Sequence, residues 1–232
     1  MAGRINSFQS MGAVDGPGIR FVVFMQGCPL RCVYCHNPDT WNLEGQVYDV
    51  DEVRQKIVRN KPYFGECGGV TVSGGEPLLQ WEFVSELFMR LKEEGIHTAL
   101  DTSGAGDIQG AEDVLKYTDL VLCDLKFSTN EDYRQYCNGS LDQTLAFLKL
   151  VEQKHVPLWI RHVVVPGLTD NNENLTRISR LAKRYTNLEK LELLPFRKLC
   201  LAKYEAMGIP FLLTDHEDCS DYVIKKIIEQ FT

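Results

Sequence analysis

Ile19-Arg-Phe-Val-Val-Phe-Met25 leads directly into Gln26-Gly-Cys28-Pro-Leu-Arg-Cys32-Val-Tyr-Cys35-His36, so a strand-forming apolar run is followed by a loop with three cysteines. Five more β-rich apolar runs occur along the chain, at Val70–Ser73, His97–Asp101, Leu120–Asp124, Leu158–Val165 and Leu191–Leu194. Helical patterns lie between and after them, at residues 49–60, 80–94, 111–117, 141–153, 172–185 and 220–231. This alternation predicts parallel strands joined by right-handed helical crossovers.

The number of units limits the choice of α/β architecture. Six units in 232 residues are fewer than the eight of a closed (β/α)8 barrel, which typically takes ~250 residues. The short, nearly all-apolar strands indicate a sheet that is covered on both faces. Periodicity alone leaves two architectures open, a partial (β/α)6 barrel and a doubly wound sheet. No internal repeat or linker is visible, so we expect one domain over residues 1–232.

Composition and charge limit the cellular compartment and the classes of binding partner that the protein can have. The formal net charge of −7 argues against general nucleic-acid binding, which depends on neutralising phosphates with Lys and Arg. The N-terminal residues have no apolar signal-peptide core, and no apolar run approaches the ~20 residues of a membrane span. We therefore expect a cytoplasmic protein with no membrane partner. Disulfides are rare in that compartment, so the clustered cysteines suggest a metal site.

The spacing of Cys28, Cys32 and Cys35 allows three thiolates to surround one compact metal centre. Structural zinc usually takes four ligands, often as two Cys pairs, and the chain has one triplet without a matching pair. Iron–sulfur clusters take Cys ligands, commonly four. Three ligands would leave one iron open to another molecule. Zinc stays open at this point, and we favour an iron–sulfur cluster once the motifs that follow are counted.

Glycines and polar residues follow several predicted strands. Val70-Thr-Val-Ser73-Gly74-Gly75-Glu76-Pro77 places two glycines at a strand end, where backbone can come close to a ligand, and Glu76 could accept hydrogen bonds from an ammonium group. The alternative interpretation is that Gly74, Gly75 and Glu76 form only a turn between a strand and a helix. Three other strands end near Asp101, near Asp124 to Lys126 and near Arg161. Barrel enzymes carry their active sites at such strand ends.

These motifs resemble a known family. Cys-x3-Cys-x2-Cys after the first strand, with an aromatic residue before the last Cys, is similar to the signature of the radical S-adenosylmethionine superfamily. Asp15-Gly-Pro-Gly-Ile-Arg20 is typical of its glycyl-radical enzyme activases. The segments Trp159-Ile-Arg161 to Gly167 and Leu193-Leu-Pro195 resemble the branch that acts on pyruvate formate-lyase. The resemblance implies a partial barrel of the radical SAM type.

The resemblance also implies cofactors, partners and a reaction. A [4Fe–4S] cluster on Cys28, Cys32 and Cys35 would cleave S-adenosylmethionine reductively to methionine and a 5′-deoxyadenosyl radical. That radical would abstract hydrogen from a backbone glycine of pyruvate formate-lyase, in anaerobic glucose metabolism. A flavodoxin- or ferredoxin-type protein would supply the electron. The rivals are activation of another glycyl-radical enzyme and a simple iron–sulfur electron carrier.

Site residues are carried over from the family by motif. The implied S-adenosylmethionine contacts are Tyr34, Cys35, His36, Gly74, Gly75, Glu76, Asp124, Leu125, Lys126 and Arg197. Those implied near the reacting groups are Asp15, Asp101, Lys126 and Arg161, with Thr102 and Asp124 beside Asp101 as candidate ligands of a monovalent cation. Arg197 stands where relatives usually have His, and Cys200 where they have Gly. The other cysteines are interpreted as thiols that bind no metal.

Overall fold

A computed structural model describes residues 1–231. Within them the chain forms one sheet of eight strands: β1 (Ala2–Gly12), β2 (Arg20–Met25), β3 (Gln46–Asp49), β4 (Gly69–Gly74), β5 (His97–Thr102), β6 (Leu120–Asp124), β7 (Leu158–Val164) and β8 (Leu188–Pro195). Their order across the sheet is β3-β1-β2-β4-β5-β6-β7-β8. β2 and β4 to β8 run parallel, while β1 is antiparallel to both β2 and β3.

Eight α-helices accompany these strands in residues 1–231: α1 (Val50–Val58), α2 (Trp81–Glu93), α3 (Ile108–Leu115), α4 (Asn130–Cys137), α5 (Leu141–Gln153), α6 (Asn172–Ala182), α7 (Leu201–Met207) and α8 (Asp221–Phe231). α1 packs on α2, α2 on α3 and α3 on α5, so neighbouring crossovers form a continuous layer. In this part of the chain no helix combines the length and the apolarity needed to cross a membrane.

The strand order decides between the two architectures that periodicity left open. The six parallel strands follow one another in chain order, whereas a doubly wound sheet reverses its order at a switch point. The sheet is open, because within residues 1–231 β8 pairs with β7 alone and β3 with β1 alone. The partial (β/α)6 barrel is therefore confirmed, and all six predicted parallel strands are present.

Local sequence explains where the predicted helices begin and what they bury. Asp49 caps α1 by accepting a hydrogen bond from the Asp51 amide, and Glu52 reaches back to the Asp49 amide in a capping box. The apolar stripe of α2 is buried, and it includes Phe83 and Leu87. Capping and amphipathicity act together here, so this part of the fold follows from local pattern.

Four elements were not predicted: β1, β3, α4 and α7. β1 alternates between buried and exposed residues, and its pairing with β2 has two register irregularities. Its mixture of polar and apolar residues therefore gives no clear strand pattern in the sequence. β3 is short and mostly exposed at the sheet edge. α4 and α7 are short, and each buries so few residues (Tyr133 and Cys137 in α4, Tyr204 in α7) that neither has a clear apolar stripe.

The connection between β1 and β2 lies against the inner face of the barrel, where the backbone of Gly16 approaches Leu122 of β6. Arg20 anchors this connection and is fully buried. Its Nε donates to Thr71 Oγ1 at 3.0 Å, and Thr71 Oγ1 donates in turn to the carbonyl of Asp15 at 2.7 Å. Arg20 therefore fixes the position of Asp15 relative to the strands of the barrel.

Replacing Arg20 tests whether this buried anchor supports the fold. Arg20→Met would leave Thr71 Oγ1 and the carbonyls of Pro17 and Val70 without their guanidinium donor. Unpaired buried groups cost about 1–3 kcal/mol each, so we expect a loss of about 2–4 kcal/mol in the free energy of unfolding. Urea denaturation of the metal-free protein measures it. The control is Arg59→Met, at an exposed position. Equal losses of unfolding free energy in the two variants would show that Arg20 does not stabilise the fold.

Candidate active site

The loop after β2 is closed at its base by backbone hydrogen bonds. The Gly27 amide donates to the carbonyl of Thr40 at 2.8 Å, and the Glu76 amide donates to the carbonyl of Gly27 at 2.8 Å. Gln26 reinforces the closure, since its Nε2 donates to the carbonyls of Asp39 and Asn42, each at 2.9 Å. Residues 27–40 thus form a compact loop that is fixed to the ends of β2 and β4.

Cys28, Cys32 and Cys35 all line one cavity of about 350 Å³ at the carboxyl ends of the parallel strands. Burial raises the pKa of Cys28 to about 12 and that of Cys35 to about 11, as expected for thiols that are largely removed from water. Such thiols become thiolate ligands when metal displaces their protons. The cavity is of the size that holds a small cofactor, roughly 300–1,000 Å³.

The spacing of the thiols bears on the choice between zinc and a cluster. Within residues 1–231 no three His, Cys, Asp or Glu side chains converge on a point suited to one metal ion. A zinc ion requires its ligand atoms within about 2.0–2.3 Å of a single centre. A [4Fe–4S] cluster is larger, and each Cys binds a different iron. Three thiols that line one cavity fit the cluster.

α7 fixes the cysteine loop from outside. Lys203 Nζ donates to Asn37 Oδ1 and Asp39 Oδ1, each at 2.9 Å. The hydroxyl of Tyr204 donates to the carbonyl of Cys35 at 3.2 Å, and the Tyr204 ring packs edge-on against Trp41. These contacts join a helix late in the chain to the loop of the predicted metal ligands.

Gly74 and Gly75 both line the cavity, but their small size serves a second purpose. Gly74 has φ of +107°, a conformation that side chains rarely adopt. A Cβ on Gly75 would collide with the carbonyl of Gly27 at the base of the cysteine loop. The glycine pair therefore lets β4 and the cysteine loop approach each other, in addition to leaving room for a ligand.

Glu76 is held by groups of the protein, and a contact of its carboxylate with the ammonium group of the cofactor stays a prediction. It is fully buried and does not line the cavity. Oε1 accepts hydrogen bonds from Leu78 N at 3.1 Å and Thr102 Oγ1 at 2.5 Å, and Oε2 accepts two from Ser103. Four donors fill the acceptor capacity of a carboxylate. Glu76 joins the end of β4 to the end of β5.

A chain of charged side chains crosses the cavity wall. Ser73 Oγ donates to Asp101 Oδ2 at 2.6 Å, and Arg161 donates to the other oxygen of Asp101. Arg161 Nε also donates to Asp124 Oδ1 at 3.0 Å, and Lys126 Nζ donates to Asp124 Oδ2 at 2.7 Å. Four neighbouring strands are connected at their carboxyl ends, and all five residues line the cavity.

Electrostatics keep these groups charged. Burial acts to raise the pKa of Asp124, but the adjacent Arg161 and Lys126 lower it to about 2. Burial acts against the charge of Arg161, yet Asp101 and Asp124 hold its pKa above the ordinary value. Asp15 lies on the same cavity, where burial and repulsion by Asp101 raise its pKa. The cavity therefore offers two fixed cations among three carboxylates.

The remaining predicted residues divide into two groups. Tyr34 and His36 line the cavity, together with Thr102. Leu125 and Arg197 do not: Leu125 is fully buried, and Arg197 donates to the carbonyl of Cys219 and to Asp221 Oδ1. Arg197 contributes its backbone instead, since its carbonyl lies 2.8 Å from His36 Nε2. A direct contact of either side chain with the cofactor stays a prediction.

Some residues of the site were missed from the sequence. Lys203 and Tyr204 carried no signal, because their helix is short and their partners lie more than 160 positions earlier. Cys137 was interpreted as a thiol that binds no metal, yet its backbone carbonyl accepts a hydrogen bond from the Arg31 amide of the cysteine loop at 2.8 Å. Only the fold brings these residues to the loop.

The comparisons with known proteins first define the class. A family model described as "Radical SAM superfamily" matches residues 22–177, more than half of the chain. The chain therefore belongs to the radical SAM superfamily. Proteins of this superfamily use a [4Fe–4S] cluster and S-adenosylmethionine, and the three thiols and the adjoining cavity fit both.

Similarity to individual proteins defines the branch. A pyruvate formate-lyase-activating enzyme of Clostridium pasteurianum is 48% identical over 227 residues, which cover 97% of this chain and 95% of that protein. One from Staphylococcus epidermidis is 41% identical over 236 residues, with coverages of 97% and 94%. Within the superfamily, the chain belongs to the family of pyruvate formate-lyase-activating enzymes.

Solved structures share the fold at lower identity. A domain of a pyruvate formate-lyase-activating enzyme from Bacteroides vulgatus matches with a TM-score of 0.58 and 24% identity, over 70% of this chain and 91% of that one. SuiB of Streptococcus suis, in complex with the precursor peptide SuiA, matches with a TM-score of 0.67 and 14% identity, over 92% and 47%. These likenesses support the architecture of the partial barrel.

Removing the α7 anchor should loosen the cysteine loop. Lys203→Met would break both contacts to Asn37 and Asp39, and a part-exposed ion pair contributes at most about 1 kcal/mol. We expect the reconstituted cluster to be lost to an iron chelator about two- to fivefold faster, followed by its visible absorption. Lys149→Met, at an exposed position on α5, is the matched control. Identical loss rates for both variants would show that α7 does not hold the loop.

Proposed function

We propose that this protein activates pyruvate formate-lyase by generating a glycyl radical on it. One observation carries the proposal: Cys28, Cys32 and Cys35 share a single cavity with the Gly74–Gly75 strand end and the Asp101–Arg161–Asp124–Lys126 chain. An electron carrier needs no such cofactor cavity. Identity of 48% to an activating enzyme over nearly the whole chain supports the choice of target.

Cys28, Cys32 and Cys35 would hold the cluster and leave one iron open to S-adenosylmethionine. When bound, the reduced cluster supplies the electron that cleaves S-adenosylmethionine to methionine and a 5′-deoxyadenosyl radical. The protein's contribution is to bind, orient and exclude water. Tyr34 and His36 line the part of the cavity beside Cys35, where we place the adenine.

Arg161 and Lys126 are the cations available to the carboxylate of S-adenosylmethionine. Asp124 contacts both and keeps their charged ends directed along the cavity wall. Because these contacts are made before the cofactor arrives, little side-chain ordering remains to be done on binding. We therefore assign Asp124 to orienting the two cations, and Arg161 and Lys126 to binding the cofactor.

The substrate glycine would enter beside Asp15 and Asp101. Val14 is 80% exposed and also lines the cavity, so the cavity reaches the surface at this loop. Asp15 and Asp101 offer acceptor oxygens to the backbone amides of an entering peptide. A monovalent cation near Asp101, Thr102 and Asp124 stays a prediction, since both carboxylates already bind Arg161.

The cellular context is also part of the proposal. We place the activity in the cytoplasm, where reduced thiols are maintained, with a flavodoxin- or ferredoxin-type protein as the electron donor. We further propose one domain over residues 1–232, because every proposed site residue lies on one sheet or in a segment next to one of its strands.

The ligand assignment has a direct test. Cys28→Ala, Cys32→Ala and Cys35→Ala should each abolish bound cluster after anaerobic reconstitution, because each removes one of three ligands. Cys67→Ala and Cys200→Ala are the controls and should retain it. Iron and sulfide content together with visible absorption give the answer. Cluster loss from Cys67→Ala equal to that from Cys28→Ala would overturn the assignment.

The activity itself is tested with the protein partner. Reduced, reconstituted enzyme is incubated anaerobically with S-adenosylmethionine and pyruvate formate-lyase, and electron paramagnetic resonance is recorded. We expect a glycine-centred doublet on the partner and one 5′-deoxyadenosine formed per radical. A radical on a different glycyl-radical enzyme, with none on pyruvate formate-lyase, would leave the class intact and reject the target.

A further inference from the structure

The two residues that follow β6 have all their backbone polar atoms paired within the protein. The Leu125 amide donates to the carbonyl of Arg161 at 2.9 Å, which continues the pairing of β6 with β7. The Lys126 carbonyl accepts a hydrogen bond from the hydroxyl of Tyr34 at 3.2 Å. The other two atoms, the Leu125 carbonyl and the Lys126 amide, are held by side chains from outside the cavity.

His162 of β7 holds the Leu125 carbonyl. Side chains alternate along a strand, so Arg161 lines the cavity whereas His162 is buried away from it. His162 Nδ1 lies 2.7 Å from the carbonyl of Leu125, and its Nε2 lies 3.2 Å from Nδ2 of Asn174 in α6. An amide nitrogen can only donate, so Nε2 accepts and the ring proton is on Nδ1. His162 therefore donates to the Leu125 carbonyl.

Tyr133 of α4 holds the Lys126 amide. Its hydroxyl accepts a hydrogen bond from that amide at 2.9 Å. Tyr133 and His162 are each 1% exposed, and neither lines the cavity. Buried backbone groups need partners, and no strand supplies them here because β6 ends at Asp124. The two side chains thus restrict the backbone from which the Lys126 side chain extends.

We propose that His162 and Tyr133 are positioning residues for the binding of S-adenosylmethionine: they hold the backbone of Leu125 and Lys126 and so keep the Lys126 ammonium group at the cavity. The inference rests on the proposed function in taking Lys126 as a cation for the cofactor carboxylate. Lys126 Nζ donates to Asp124 Oδ2 at 2.7 Å, and its side chain is 15% exposed. This cation is therefore in place before the cofactor binds.

The expected effect is on affinity. A loosened backbone at Lys126 would have to be ordered again whenever the cofactor binds, and that ordering lowers affinity. A hydrogen bond of ordinary net strength changes an equilibrium by about three- to tenfold. Because the cofactor carboxylate is held alike before and during the cleavage, the loss should raise KM and leave kcat largely unchanged.

The test compares variants of the full chain after anaerobic reconstitution. Tyr133→Phe removes only the hydroxyl. His162→Phe removes the donor and keeps a ring, while His162→Asn keeps a donor near the position of Nδ1 and loses ring volume. His216→Phe is the matched control, because His216 Nδ1 lies 2.9 Å from the carbonyl of Pro166 and His216 does not line the cavity.

Four quantities are measured for each variant. Iron and sulfide content reports the cluster, and calorimetric titration without reductant gives the Kd for S-adenosylmethionine. Formation of 5′-deoxyadenosine under reducing conditions then gives KM and kcat.

We expect Tyr133→Phe and His162→Phe to keep the cluster and to bind S-adenosylmethionine about three- to tenfold more weakly, with kcat within about twofold of wild type. His162→Asn should bind more tightly than His162→Phe, and His216→Phe should equal wild type. Wild-type affinity in both Tyr133→Phe and His162→Phe would overturn the proposal. Weaker binding by His162→Asn than by His162→Phe would also overturn it, because packing would then explain the effect. If His162→Phe does not fold, the affinity of Tyr133→Phe decides alone.

The role of Lys126 is read separately. If Lys126→Met binds S-adenosylmethionine as tightly as wild type, the proposed function loses Lys126 as a cofactor cation whatever the other variants show. If Lys126→Met binds more weakly while Tyr133→Phe and His162→Phe keep wild-type affinity, Lys126 keeps its role and the positioning role of Tyr133 and His162 is rejected.

Discussion

Arg161 binds two carboxylates at once, and the rest of the site depends on that bridge. Asp101 and Asp124 stand at the ends of neighbouring strands, where two buried anions would repel each other without a cation between them. Arg161 joins both, and Lys126 and Ser73 extend the connection to either side. Removing the cation would leave buried charge unpaired, which is strongly destabilising. The bridge thus neutralises the charges that the paired strand ends bring together around the cavity.

The cysteine loop is fixed by contacts on three sides. Its base is closed on β4 through Gly27 and Glu76, its outer side is fixed by Lys203 of α7, and its inner side rests on Cys137 of α4. A cluster bound by three thiolates is open on one side and therefore vulnerable. Anchors from distant parts of the chain keep the thiols in place independently of the cofactor, which suits a site that must bind and release S-adenosylmethionine.

The parallel strands and the longer helices were predictable because both faces of the sheet and one stripe of each helix are apolar. The cavity residues at strand ends were predictable for the same reason, since parallel strands bring their carboxyl ends together. The hydrogen bonds that Thr102 and Ser103 donate to Glu76 were not predictable, because only the pairing of β4 with β5 brings these residues together. Lys203 and Cys137 were missed, since short helices lack a readable period and long-range pairs leave no local trace.

The central claim is that this cavity brings a backbone glycine of pyruvate formate-lyase to the carbon radical derived from S-adenosylmethionine. Transfer of deuterium tests it most directly. Pyruvate formate-lyase labelled with α-deuterated glycine is activated anaerobically, and the 5′-deoxyadenosine is examined by mass spectrometry. We predict that deuterium appears in 5′-deoxyadenosine in proportion to the radical formed, and that unlabelled partner gives none. Radical formation with unlabelled 5′-deoxyadenosine from the deuterated partner would contradict the account.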